Sequence, residues 1–117
     1  MVLDMNAGPS WADTRADAPI IMDPDHRQYY RQPHFYAMAH FSKFLSPGSV
    51  RIYSSILSLT NHTNTTAGAF RTPHNSTVVI VVNNDETVID FTLEDTKSGE
   101  MTAKIDPKSI QTFVYYD

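Results

Sequence analysis

The run Ser76-Thr77-Val78-Val79-Ile80-Val81-Val82 is bounded by Asn75 on one side and by Asn83-Asn84-Asp85 on the other. It constrains this chain more than any other feature. A continuous β-branched stretch with no polar alternation suits a strand buried on both faces, and its turn-forming flanks fix where that strand begins and ends. The rest of the second half repeats the rhythm. "VRIYSSILSL" from residue 50 reads as a long strand, and "TTAGAFRT" as a weaker one broken by Gly68. "TVIDFTL" sets Ile89, Phe91 and Leu93 on one face against Val88, Asp90 and Thr92. "EMTAKI" directs Met101, Ala103 and Ile105 inward, and "SIQTFVYY" closes the series. Six strands at turn-punctuated spacing indicate an antiparallel β-sandwich.

The first half has a different texture. Residues 1 to about 32 carry loop signals such as Gly8-Pro9, Ala18-Pro19 and Asp23-Pro24. The island "PIIMD" within them fits a short buried turn or strand. A helix is predicted next: Pro33 suits its first position, where a missing N–H costs nothing. Phe35, Met38, Ala39, Phe41, Ser42 and Leu45 fall at helical spacing as one apolar face, with the phenylalanines expected against a core. Ser46-Pro47-Gly48 ends the helix.

The chain of 117 residues is long enough for one small domain with an adequate core. Its net charge of −4 carries no nucleic-acid footprint. Protonating all five histidines would carry that charge to +1, so an acidic compartment would alter the surface. Cysteine is absent, which removes disulfides, thiolate nucleophiles and Cys-ligated metals. No apolar run approaches the ~20 residues of a membrane span, and the start shows no secretory signal. Three N-glycosylation sequons nevertheless begin at Asn61, Asn64 and Asn75, which leans toward a secreted or lysosomal protein.

Candidate chemistry is thin. His34 and His40 are six residues apart, on different sides of a helix rather than at metal-pair spacing. His34 is expected to decorate the first turn and His40 to pack beside aromatics. His26, His62 and His74 sit in loops without ligand-like company, and no metal site or cofactor is predicted. The thirteen acids mostly occupy turns such as Asp85-Glu86 and Glu94-Asp95, with nothing like the close pair a glycosidase needs. Neither a Gly-x-Ser-x-Gly elbow nor a phosphate loop is present. Trp11 has the chemistry to stack on a sugar or an apolar ligand, although in a short chain such a ring is more often core.

"GPSWADTRADAPIIMD" and "YYRQPHFYAMAHFSKFLSPGSVRI" resemble the C-terminal part of the glucosylceramidases, the lysosomal acid β-glucosidase family. The shared motifs are Gly8-Pro9-Ser10-Trp11, Pro19 to Asp23, Tyr30 to Tyr36, His40 to Phe44, and Pro47 to Ser49. Departures are Thr14 and Ala7, where the family carries Asn and Gly, and Arg27, where it carries Asp. The resemblance implies a retaining glycoside hydrolase that cleaves glucosylceramide to glucose and ceramide. It implies a (β/α)₈ barrel running into a β-sandwich, with two catalytic glutamates expected upstream of Met1. A barrel needs ~250 residues, so this chain would hold only its end. Residues 1–46 would be the final active-site-side loop and last helix, with Trp11 and Thr14 on the substrate side. Residues 47–117 would be the sandwich, preceded by a barrel otherwise missing, and the chain alone would be inactive. The resemblance further implies a glucosylceramide-type glycolipid as substrate, with a saposin-type activator and an anionic lipid surface as partners. The alternative is a free-standing, non-catalytic β-sandwich that binds carbohydrate or a protein partner.

Overall fold

Strand pairing dominates the computed structural model, which describes residues 1–57 and 64–116. The chain divides into two units, Met1–Ala39 and His40–Asp117.

The first unit contains a three-stranded sheet where mostly loop was expected. β1 (Val2–Asp4) runs parallel to β2 (Ile20–Asp23), which pairs antiparallel with β3 (Gln28–Arg31). Leu3 and Ala18 are buried, and the Asp23 carboxylate is buried with them. Its Oδ2 lies 2.7 Å from His26 Nδ1 across the hairpin turn, so His26 does have a partner. Arg27 closes that turn at φ 53°.

α1 (Pro33–Ser42) begins at the proline as predicted. Its apolar face packs into no core in this chain: no residue of the helix is buried, and Met38 and Phe41 are exposed. The following turn is built by sequence. Ser49 N–H donates to Ser46 O at 3.0 Å, and Gly48 takes φ 88° behind Pro47, the residue pattern of a type II turn.

The second unit holds the six strands in the expected order. β4 (Val50–Ile52), β5 (Thr65–Arg71), β6 (Ser76–Asn83) and β9 (Ser109–Tyr116) form one antiparallel sheet in the order β4-β5-β6-β9. β7 (Ile89–Asp95) and β8 (Gly99–Ile105) form a second antiparallel pair. Ala69, Val79 and Val81 from the larger sheet meet Ile89 and Ile105 from the smaller one in the buried core, with Phe91 stacked on Phe113. β6 is central and buried from Ser76 to Val81, as its composition demanded. Gly68 does not break β5, because the Phe70 ring covers it: a Cβ there would stand 3.2 Å from Phe70 Cε2. The long strand expected from residue 50 is instead only three residues on an edge. Residues 53–57 have no regular structure, and the end of that prediction lies outside the described residues. Met101 is partly exposed rather than inward, while Ile105 is fully buried.

Within the second unit, its first residue is tied to β9. His40 Nδ1 and Thr112 Oγ1 are 2.8 Å apart, 72 positions distant in sequence. His40 is therefore a hydrogen-bonded residue, not a partnerless one.

Candidate functional site

The loop leaving β1 is organised by one carboxylate. Asp4 Oδ1 accepts the N–H groups of Asn6 and Gly8, each at 2.8 Å, and Asp4 N–H donates to Gly8 O at 2.7 Å. The Gly8–Pro9 peptide is cis, and Ala7 adopts φ 64°. The same Asp4 lines an open concavity of about 670 Å³ beyond the C-terminal end of β1, together with Arg15, Asp17, Tyr30 and Gln32. Carboxylates, a guanidinium, a phenol and an amide converging on one depression suit hydroxyl-rich ligands, since they supply both donors and acceptors.

Trp11 and Thr14, the two side chains proposed from sequence for the substrate side, lie on this loop. Trp11 is wholly exposed and takes no part in the core of the first unit. Thr14 accepts or donates a hydrogen bond with Ser10 Oγ at 3.2 Å, and its N–H reaches the same oxygen. Neither lines the concavity. Asp4, Arg15 and Gln32 do, and sequence reasoning passed over them. The signal for Asp4 was its position at the carboxyl end of a strand, legible only once "VLD" is known to pair.

Glutamate is absent from the first unit, whose acids are all aspartates. The chain has glutamates only at positions 86, 94 and 100, all exposed on the second unit, and Glu86 pairs with Lys108 at 3.0 Å. Two glutamates flanking a glycosidic bond therefore do not occur on the barrel-like side. Among the described residues, no group of three metal-ligating side chains comes together, and no helix is long and apolar enough to cross a membrane.

Among the described residues of the second unit, Asp95 is the acid with a clear shift. The Asp95 carboxyl titrates below the usual carboxylate range, chiefly because Lys97 N–H donates to it. The Tyr115 hydroxyl, the Ser98 N–H and the charge of Arg71 act in the same direction. This group fastens the β7–β8 turn to β9. Of the three sequons, the one at Asn61 lies outside the described residues. Asn64 and Asn75 are both exposed.

Comparison with known proteins places these features. Residues 48–113 match the glycosyl hydrolase family 30 beta sandwich domain, and residues 1–45 match the glycosyl hydrolase family 30 TIM-barrel domain. The chain is 42% identical to Caenorhabditis elegans "Putative glucosylceramidase 2" over 115 residues, covering 96% of this chain and 22% of that protein. Against the lysosomal acid glucosylceramidase of Mus musculus it is 32% identical over 115 residues, covering 98% of this chain and 22% of that protein. The chain thus spans about a fifth of the length of these relatives. In structure it is similar to SrfJ from Salmonella typhimurium, with TM-score 0.88 and 23% identity over 99% of this chain and 25% of that one. The endo-β1,6-glucanase BT3312 gives TM-score 0.82 and 22% identity over 99% and 26%.

Proposed function

Because the chain belongs to glycosyl hydrolase family 30, we propose that it forms the closing portion of a glucosylceramidase, which splits glucosylceramide into glucose and ceramide in sphingolipid catabolism. The observation that carries this reading is the identity to the mouse lysosomal enzyme across 98% of the chain, paralleled at 42% by the worm relative.

In this reading residues 1–46 close the active-site side of the barrel and residues 47–117 form the sandwich. The substrate-side loop, residues 6–17, borders the sugar. Asp4 and Arg15 hydrogen-bond hydroxyls from the concavity, and Trp11 and Thr14 stand on the substrate side. The reaction retains anomeric configuration through one glutamate as acid/base and a second as nucleophile, both supplied by the remainder of the longer protein. The chain alone is inactive, since none of its glutamates stands on the barrel-like unit. The longer protein acts in the lysosome or after secretion, on a glycolipid held at an anionic lipid surface and with a saposin-type activator.

Sequencing the transcript upstream of Met1 tests this. The expected result is a reading frame encoding barrel strands with two glutamates near their carboxyl ends. A frame lacking such a pair would remove the reading. The second unit's own buried core favours one competing reading, an independent sandwich that binds carbohydrate. A monomeric, cooperatively folded chain that retains a glycan ligand would support that reading instead.

A further inference from the structure

Thr77 is the second residue of β6, the most apolar strand of the chain; it is fully buried, and its Oγ1 has no hydrogen-bond partner among the described residues. An unpaired buried hydroxyl destabilises a fold, and valine would fill the same space without it. The neighbours at 78, 79, 81 and 82 are all valine. The hydroxyl therefore contributes nothing visible to the folded sheet, which leaves the question of what it is for.

Two positions earlier stands Asn75. It occupies the third place of the β5–β6 hairpin loop, residues 73–75, where Pro73 and His74 make the turn and Asn75 takes φ 59°. The loop is held from beneath by Thr72: its Oγ1 is 2.6 Å from Ser76 Oγ and accepts the N–H groups of His74 and Ser76. Asn75 N–H donates to Thr72 O at 3.2 Å, while its side chain bonds to nothing among the described residues. All three loop residues are exposed. A large group on the Asn75 amide would displace no contact. Asn64 differs, since its Nδ2 donates to Asp85 Oδ1 at 3.3 Å.

We propose that Asn75 carries an N-linked glycan, and that the Thr77 hydroxyl serves to be read together with it before the strand folds. The Asn-x-Thr pattern needs the hydroxyl only while the chain is extended and accessible to the transferase. The step joins Asn75 Nδ2 to C1 of an oligosaccharide carried on a lipid pyrophosphate. The sugar–pyrophosphate bond breaks, and the lipid pyrophosphate and the amide proton depart. Folding then buries Thr77 and leaves the glycan on the hairpin tip. The inference rests on the secretory or lysosomal route proposed above for cells that make the protein, but the site itself can be tested without it.

The full chain, directed into the endoplasmic reticulum of cultured eukaryotic cells by a supplied signal sequence and carrying an added C-terminal control acceptor, is analysed by glycopeptide mass spectrometry. Glycan is expected on Asn75 in the parent sequence and in Thr77→Ser, and lost in Asn75→Gln and Thr77→Val. Once deglycosylated, Thr77→Val is expected to resist protease at least as well as the parent. Unmodified Asn75 in chains whose control acceptor is glycosylated would overturn the proposal. So would a protease-labile Thr77→Val, which would assign the hydroxyl to the fold. Glycan on Asn75 here but not in protein from its own cells would instead refute the route and leave the site standing.

Discussion

Asn83 shows how much one side chain decides. It is fully buried at the end of β6, and its Nδ2 faces the carbonyl oxygens of Thr87, Ile105 and Asp106 at 2.9, 3.2 and 3.0 Å. Its Oδ1 accepts the N–H of Asp85 at 2.9 Å. It therefore stitches the end of one sheet to the end of the other. Asn83→Ala is expected to lower stability by about 2 kcal/mol, because the buried Ile105 carbonyl and two partly buried carbonyls lose their donor, and the urea midpoint reads this directly. Ala7 is the reverse case. It holds φ 64° where the resembled family carries glycine, so Ala7→Gly should raise stability by about 0.5–1 kcal/mol in the same measurement. Asp95 gives a pH dependence. Its folded-state carboxyl is depressed, so its contribution is complete above the unfolded value of about 3.9 and is lost as pH falls through the lower folded value. NMR titration should place Asp95 below the ordinary aspartate value of about 3.9, and Tyr115→Phe should move it upward. None of these roles was legible in sequence, since Asn83 reads as turn punctuation and its partners lie up to 23 positions away. His40 was missed for the same reason, its partner being 72 positions distant.

Elements were legible in proportion to how many periods they contain. β6, with eight residues of unbroken β-branching, announced its place and its burial. β7 declared its faces by alternation, and Ile89 is buried as that alternation required. β1, β2 and β3 have three or four residues each, too short for a period to rise above the surrounding turn signals. α1 was placed at its true start, but periodicity could not say what its apolar side would meet. Val81 is the core's best probe: it has no exposed surface, and Val81→Ala should cost about 2–3 kcal/mol by lost contacts and a residual cavity. The Pro47-Gly48 turn offers a second test. At φ 88°, with Pro73 Cγ 3.2 Å from where a Cβ would sit, Gly48→Ala should destabilise by about 1–2 kcal/mol. Met38 and Phe41 project from α1 into solvent, and replacing both with glutamine should raise soluble yield without lowering the urea midpoint.

At the scale of the whole chain, membership of family 30 and the absence of glutamate from the first unit must be held together. The sequence motifs that identify the family are carried by the loop after β1 and by α1, while the proposed reaction depends on two side chains these elements do not possess. The concavity at Asp4 and Arg15 can orient hydroxyls, but no glutamate stands beside it on the first unit. In the proposed reading, sugar binding and bond cleavage separate, with this chain on the binding side. The decisive measurement is hydrolysis of a fluorogenic β-glucoside at acidic pH by the purified 117-residue chain. No release above the buffer rate is expected. Release that an active-site β-glucosidase inhibitor abolishes would contradict it.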